Sequence, residues 1–171
     1  MSTTPNNLSI NYVELEDSVY RSNLCNNFVV AGNFKIQQFT DSCLKLIHFD
    51  EKDKKKILKV NRMWGQDARN IFNLKRLCNE LLIPIENLIN SNLKIICGIV
   101  DNEIGVMMGL PRYSQLKYGK SAIIKSNNSF KMFELILQSK IKFSECIYFA
   151  SSNCVYIGLP SEVLKDIVKV K

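Results

Sequence analysis

The chain has 171 residues, 46% hydrophobic and 23% charged, the size and balance of one globular domain and too apolar for a disordered chain. A chain of this length folds without a disulfide or metal, and no apolar run approaches the ~20 residues that span a bilayer. Lys and Arg number 23 against 16 Asp and Glu, a formal charge of +7, which points to an anionic partner.

Residues 1–7 are small and polar, without the basic start or apolar centre of a secretory leader. They are expected to form a flexible tail ahead of a single domain over 8–171, with an intracellular home, cytoplasmic or nuclear. Leu8, Ile10 and Tyr12 alternate with polar residues, predicting a strand to Leu15. Ser18 is placed to cap a short helix containing Val19, Tyr20 and Leu24. Ala31-Gly32-Asn33 is a turn that makes a hairpin of Phe28–Val30 and Phe34–Ile36. Partial alternation over 43–49 predicts another strand.

Asp50 stands as a helix N-cap, with Glu51 and Asp53 in the first turn, where the helix dipole favours negative charge. That helix is predicted over 50–63, with Ile57, Val60 and Trp64 on an apolar stripe and Gly65 as its break. Asp67 caps a second helix over 67–82, whose Ala68, Ile71, Phe72, Leu74, Cys78, Leu81 and Leu82 repeat at helical spacing. Pro84 is expected to end it, with a short further helix over 85–90.

Leu93–Val100 and Ile104–Met108 are apolar runs joined by Asp101-Asn102-Glu103, which predicts a hairpin buried on both faces. Residues 121–125 predict a strand, and Ser129 a cap for a helix over 129–140 that turns Phe130, Phe133, Ile136 and Leu137 to the core. Cys146–Ala150 and Cys154–Gly158 predict a hairpin across Ser151-Ser152-Asn153. Pro160-Ser161 opens an expected helix over 161–169. The order gives an α+β fold, a mostly antiparallel sheet built from hairpins with helices on one side.

The strongest functional feature is basic. Lys52, Lys55, Lys56, Lys59 and Arg62 fall within an arc of about 120° on the first long helix, at 100° per residue. Trp64 and Arg69 follow closely. Such a row can track a phosphate backbone, and a nearby Trp can stack on an unpaired base. The competing reading is a solvated helix face with Trp64 packed inward along the apolar stripe. Lys (18), Asn (18) and Ile (19) are abundant, and their A/T-rich codons offer base composition as another source of the charge.

Other constellations are thin. The six cysteines at 25, 43, 78, 97, 146 and 154 form no C-x-x-C pair, so reduced cysteines, four of them in apolar segments, are expected and no metal site. His48 is the sole histidine, with no base–nucleophile pattern around it. Residues 77–89 have a helix–break–helix layout, but Leu82 and Ile83 stand where a helix-turn-helix wants a small residue. Tyr118-Gly119-Lys120-Ser121 resembles the end of a phosphate-binding loop, yet Ser114 stands where its first glycine belongs. Lys117, Lys120 and Arg112 in that loop are expected to be exposed.

These residues predict a non-enzymatic, nucleic-acid-associated protein that contacts phosphates through Lys52, Lys55, Lys56, Lys59, Arg62, Trp64 and Arg69, without cofactor, metal or membrane. The alternative is a protein–protein interaction or assembly module, structural, adaptor or host-interacting, of the kind an A/T-rich virus would encode.

Overall fold

The C-terminal strands, well buried along Ser121–Lys125 and Cys154–Gly158, organise the fold. The structure, a computed structural model, describes residues 28–47, 50–161 and 167–171; the expected tail over 1–7, strand over 8–15 and helix near Ser18 lie outside them. Strands β1 (Val29–Ala31) and β2 (Phe34–Lys35) form the expected small hairpin. Gly32 turns it with φ +53, a left-handed conformation that glycine adopts without strain. Ile36 then starts helix α1 (Ile36–Thr40), followed by a 3-10 turn over Ser42–Lys45 where a strand was expected.

Helix α2 (Glu51–Gly65) follows Asp50, and α3 (Ala68–Leu77) follows Asp67, whose carboxylate accepts from the Arg69 N–H at 3.0 Å. Pro84 does not end the second helix. The backbone passes through a π turn at Cys78–Leu82 straight into α4 (Ile83–Ile89), with the Ile83 N–H donating to the Cys78 carbonyl five residues back. The wider turn accommodates a residue that has no N–H and whose ring crowds the carbonyl four residues earlier. Ile71, Leu74, Leu77, Leu81 and Leu82 on this helix are fully buried, each stabilising by about 1.5–3 kcal/mol relative to exposure. Asn90, at φ 49, closes α4 in the left-handed region.

Strand β3 (Lys94–Cys97) is the only strand of the expected central hairpin. Its predicted partner is helix α5 (Asn102–Met107), because Asp101 Oδ1 accepts from the Ile104 N–H at 2.8 Å and caps a helix there. A strand buried on both faces also conflicts with Val106 and Met107, exposed to 73% and 51%. A 3-10 turn over Gln115–Tyr118 leads to β4 (Ser121–Lys125), then α6 (Ser129–Gln138), β5 (Glu145–Phe149) and β6 (Cys154–Gly158). The cap of α6 is Asn128, one residue before the expected Ser129; it accepts from the Lys131 N–H at 2.9 Å. Phe130 and Leu137, expected in the core, are exposed, while Phe133 and Ile136 are buried.

Ile167–Val170 is strand β7, parallel to β5 in the register Glu145 to Ile167 and Tyr148 to Val170. It overturns the helix expected over 161–169 at its end, and residues 162–166 lie outside the description. Three β-branched residues in four favour a pleated strand over a helix.

The sheet order is β3-β4-β6-β5-β7, antiparallel at every pairing but the last, which makes the fold α+β. Ala122, Ile124, Val155, Ile157 and Cys146 point to one face, against α3, α4 and α6. Ile123 and Tyr156 point to the other, towards a second cluster of Cys43, Leu44, Ile57, Cys97, Val100, Ile104 and Leu116. Helical residues therefore pack on both faces of the sheet, not one. Among the described residues no helix is long and apolar enough to cross a membrane.

Candidate nucleic-acid interface

Helix α2 is fixed by its inner face. The buried line runs through Ile57, Asn61 and Gly65, while Val60, expected on the apolar stripe, is 41% exposed. Asn61 Nδ2 donates to the Thr40 carbonyl at 2.6 Å and the Ile99 carbonyl at 3.1 Å, and its Oδ1 accepts from the Asp101 N–H at 2.8 Å. A Cβ on Gly65 would run into the Thr40 side chain, so only glycine allows this approach. Trp64 Nε1 donates to the Lys117 carbonyl at 2.7 Å. Arg62 forks onto Asp41, with Nε to Oδ1 at 3.0 Å and Nη2 to Oδ2 at 2.6 Å. Rotating about the axis by 100° per residue, the contacts come in the order Trp64, Asn61, Gly65, Arg62.

The remaining arc holds Lys52, Lys55, Lys56 and Lys59. All four are exposed, and none has an ion-pair or hydrogen-bond partner among the described residues. They span about 100° and about 10.5 Å of axis, the length of about three phosphates of one duplex strand. Met63, 64% exposed, lies within the same arc.

The rest of the predicted set divides. Arg62 is committed to Asp41, which raises its pKa through the hydrogen bond, so it is not free to bind phosphate. Trp64 is half-buried with its N–H satisfied, which is the inward-packed alternative and removes it as a stacking surface. Arg69 is exposed, 4.0 Å from Asp67, at the start of α3. Lys75 sits 5.9 Å over the Phe28 ring and Arg76 pairs with Glu80 at 2.7 Å.

The loop before β4 also departs from expectation. Arg112 and Lys120 are exposed, but Lys117 is only 4% exposed, its side chain lying across Gly105 where any Cβ would displace it. The strand follows Gly119-Lys120 instead of leading into it, so the loop has no phosphate-loop architecture. The continuous helix through Pro84 likewise removes the helix-turn-helix layout.

Cys43, Cys78, Cys97, Cys146 and Cys154 are free thiols, all buried. Burial pushes Cys78 and Cys146 up to about 12, and a hydrogen bond with Cys43 together with burial raises Cys97 well above the ordinary range. Such thiols are poor nucleophiles at neutral pH. Among the described residues no group of His, Cys, Asp and Glu is placed to hold a metal; His48 lies outside them. The chain matches no family model, no curated protein and no solved structure.

Proposed function

We propose that this protein is a non-enzymatic nucleic-acid-associated protein that lays the outer face of α2 along a phosphate backbone. Supporting it is one observation: four exposed lysines without partners share one arc of a helix whose opposite side is pinned by Asn61, Arg62 and Trp64. A pinned helix presents its charges without ordering a backbone on binding, and each phosphate neutralised releases counterions. Binding through phosphates alone carries no base readout, so little sequence preference is expected. Fluorescence anisotropy of labelled random-sequence RNA and DNA duplex tests it. The expected result is binding that Lys55→Glu with Lys59→Glu weakens without loss of fold; equal binding by the variant overturns it.

A second reading, a protein–protein or assembly module, is favoured by Val106 and Met107 standing exposed at the end of α5. Light scattering separates the two: self-association lost in Met107→Lys supports the module, and a monomer across the concentration range counts against self-assembly through α5.

A further inference from the structure

We propose that the α2 interface takes single-stranded rather than duplex nucleic acid, with Tyr113 stacking on an unpaired base; this rests on the phosphate-binding role of α2 proposed above. The stacking surface that the sequence assigned to Trp64 is unusable, because that ring is turned inward onto Lys117. The same bond, however, fastens the segment 110–118 to the Trp64 edge of α2. On that segment Tyr113 is 84% exposed, more than any other large apolar side chain described, and the exposed Arg112 precedes it.

Tyr113 is held out by a turn fixed at both ends. The Leu110 N–H donates to the Gly105 carbonyl at 2.8 Å, and the Ser114 N–H to the Pro111 carbonyl at 3.0 Å. Beyond the turn, the Lys117 N–H reaches the Ser114 carbonyl at 3.0 Å, and the Val100 N–H reaches the Leu116 carbonyl at 3.2 Å. Leu116 and Lys117 are buried, which anchors the 3-10 turn that closes the loop. A ring presented on a pinned turn loses little freedom when a base stacks on it.

Going round α2 from Trp64, away from Asn61, the next side chains are Asp53, Val60, Lys56 and Met63, at about 20°, 40°, 80° and 100°. The segment carrying Tyr113 is thus tied to α2 on the Lys56 side of the lysine arc, about 7.5 Å along the axis from Lys59 and about 12 Å from Lys56, not on the side where Arg62 meets Asp41. A single strand can give its phosphates to the lysines and a base to the ring at once. In a duplex the bases are stacked on one another and the ring has only the backbone to touch.

The test is anisotropy with labelled oligo(dT) and a duplex of equal length, for the wild type, Tyr113→Ala, Tyr113→Phe and Lys55→Glu/Lys59→Glu. The wild type is expected to bind oligo(dT) more tightly than duplex. Tyr113→Ala should weaken oligo(dT) binding by about five- to a hundredfold, the size of one base–aromatic stack, leaving duplex binding and the salt dependence unchanged. Tyr113→Phe should restore it. Tyr113→Ala binding oligo(dT) like the wild type, while the lysine reversals weaken both ligands, overturns the stacking role and leaves the α2 role standing. Lysine reversals without effect overturn both. Binding to phosphatidylserine vesicles that Tyr113→Ala abolishes, with oligo(dT) affinity unmoved, assigns the surface to lipid and also overturns the proposal.

Discussion

Arg62 of α2 and Asp41, 21 residues earlier, form a two-pronged ion pair, Nε to Oδ1 at 3.0 Å and Nη2 to Oδ2 at 2.6 Å. The pair ties α2 to the end of α1 and takes one cation out of the basic face. Burial acts to raise the Asp41 pKa, but hydrogen bonds from Arg62, Thr40 and Gln37 and the Arg62 charge outweigh it, so the carboxyl lies below its ordinary 3.8. The folded state therefore binds the proton less tightly than the unfolded chain. The stabilisation is full above about pH 4 and is lost as pH falls through the lower, folded value. Asp41→Asn is expected to cost about 1 kcal/mol at pH 7, the pair being partly exposed, and to lose that penalty as pH falls through the lowered folded value. Urea denaturation at pH 7 and at successively lower pH measures both.

Asn61 has no exposed surface and serves three backbone groups, on residues 40, 99 and 101. Asn61→Leu keeps the branched shape but strands those groups in the core. Each loses a partner in a place water does not reach, so the expected loss is about 2–4 kcal/mol. Denaturant midpoints of the two proteins check it; a loss under about 1 kcal/mol would mean water enters the site.

Three thiols and one phenol titrate abnormally. Cys78 and Cys146 are pushed from an ordinary 9.0 to about 12 by burial, and burial likewise leads Tyr156 to about 12. Cys97 shifts the same way. Here the folded state holds the proton more tightly than the unfolded chain. Stability is full below about pH 9 and falls as pH rises towards 12, by about 1.4 kcal/mol per pH unit for each thiol. Unfolding free energies from pH 8 to 11 should slope downward in the wild type. The slope should be shallower, by about two thiols' worth, in Cys78→Ala/Cys146→Ala.

Gly98, buried after β3, leaves room for the Phe39 backbone. A Cβ there would lie 2.8 Å from Phe39 Cα, and backbone cannot swing aside as a side-chain tip can. Gly98→Ala is expected to cost about 2 kcal/mol or more, in the range of overpacked cores. Gly109→Ala meets nothing within 4 Å but keeps φ +66, so its cost, about 1 kcal/mol, is conformational only. Thermal melts of the pair separate steric from backbone strain.

What the residues disclosed was local. Asp67 was legible as a cap because its carboxylate acts two residues away, and the 145–158 hairpin because alternation and its turn sit side by side. Asp101 shows the limit: an Asp before a short apolar run suits both a hairpin tip and a helix cap, and only the exposure of Val106 and Met107 decides. Pro84 has the sequence signature of a helix end, because the π turn that accommodates it leaves no mark in composition. Over the candidate interface, the lysine arc followed from spacing alone. The loss of Arg62 to Asp41 and of Trp64 to Lys117 did not, since those partners lie 21 and 53 residues away. Tyr113 carried no periodic signal, standing between Pro111 and Ser114 in a turn.

The most direct measurement is the salt dependence of binding to random-sequence RNA, as log K against log of salt concentration, for the wild type and Lys55→Ala/Lys59→Ala. Four lysine–phosphate contacts predict a slope of about −3, and removal of two predicts about −1.5. A wild-type slope near zero, or the same slope in both proteins, would contradict phosphate contact by the outer face of α2.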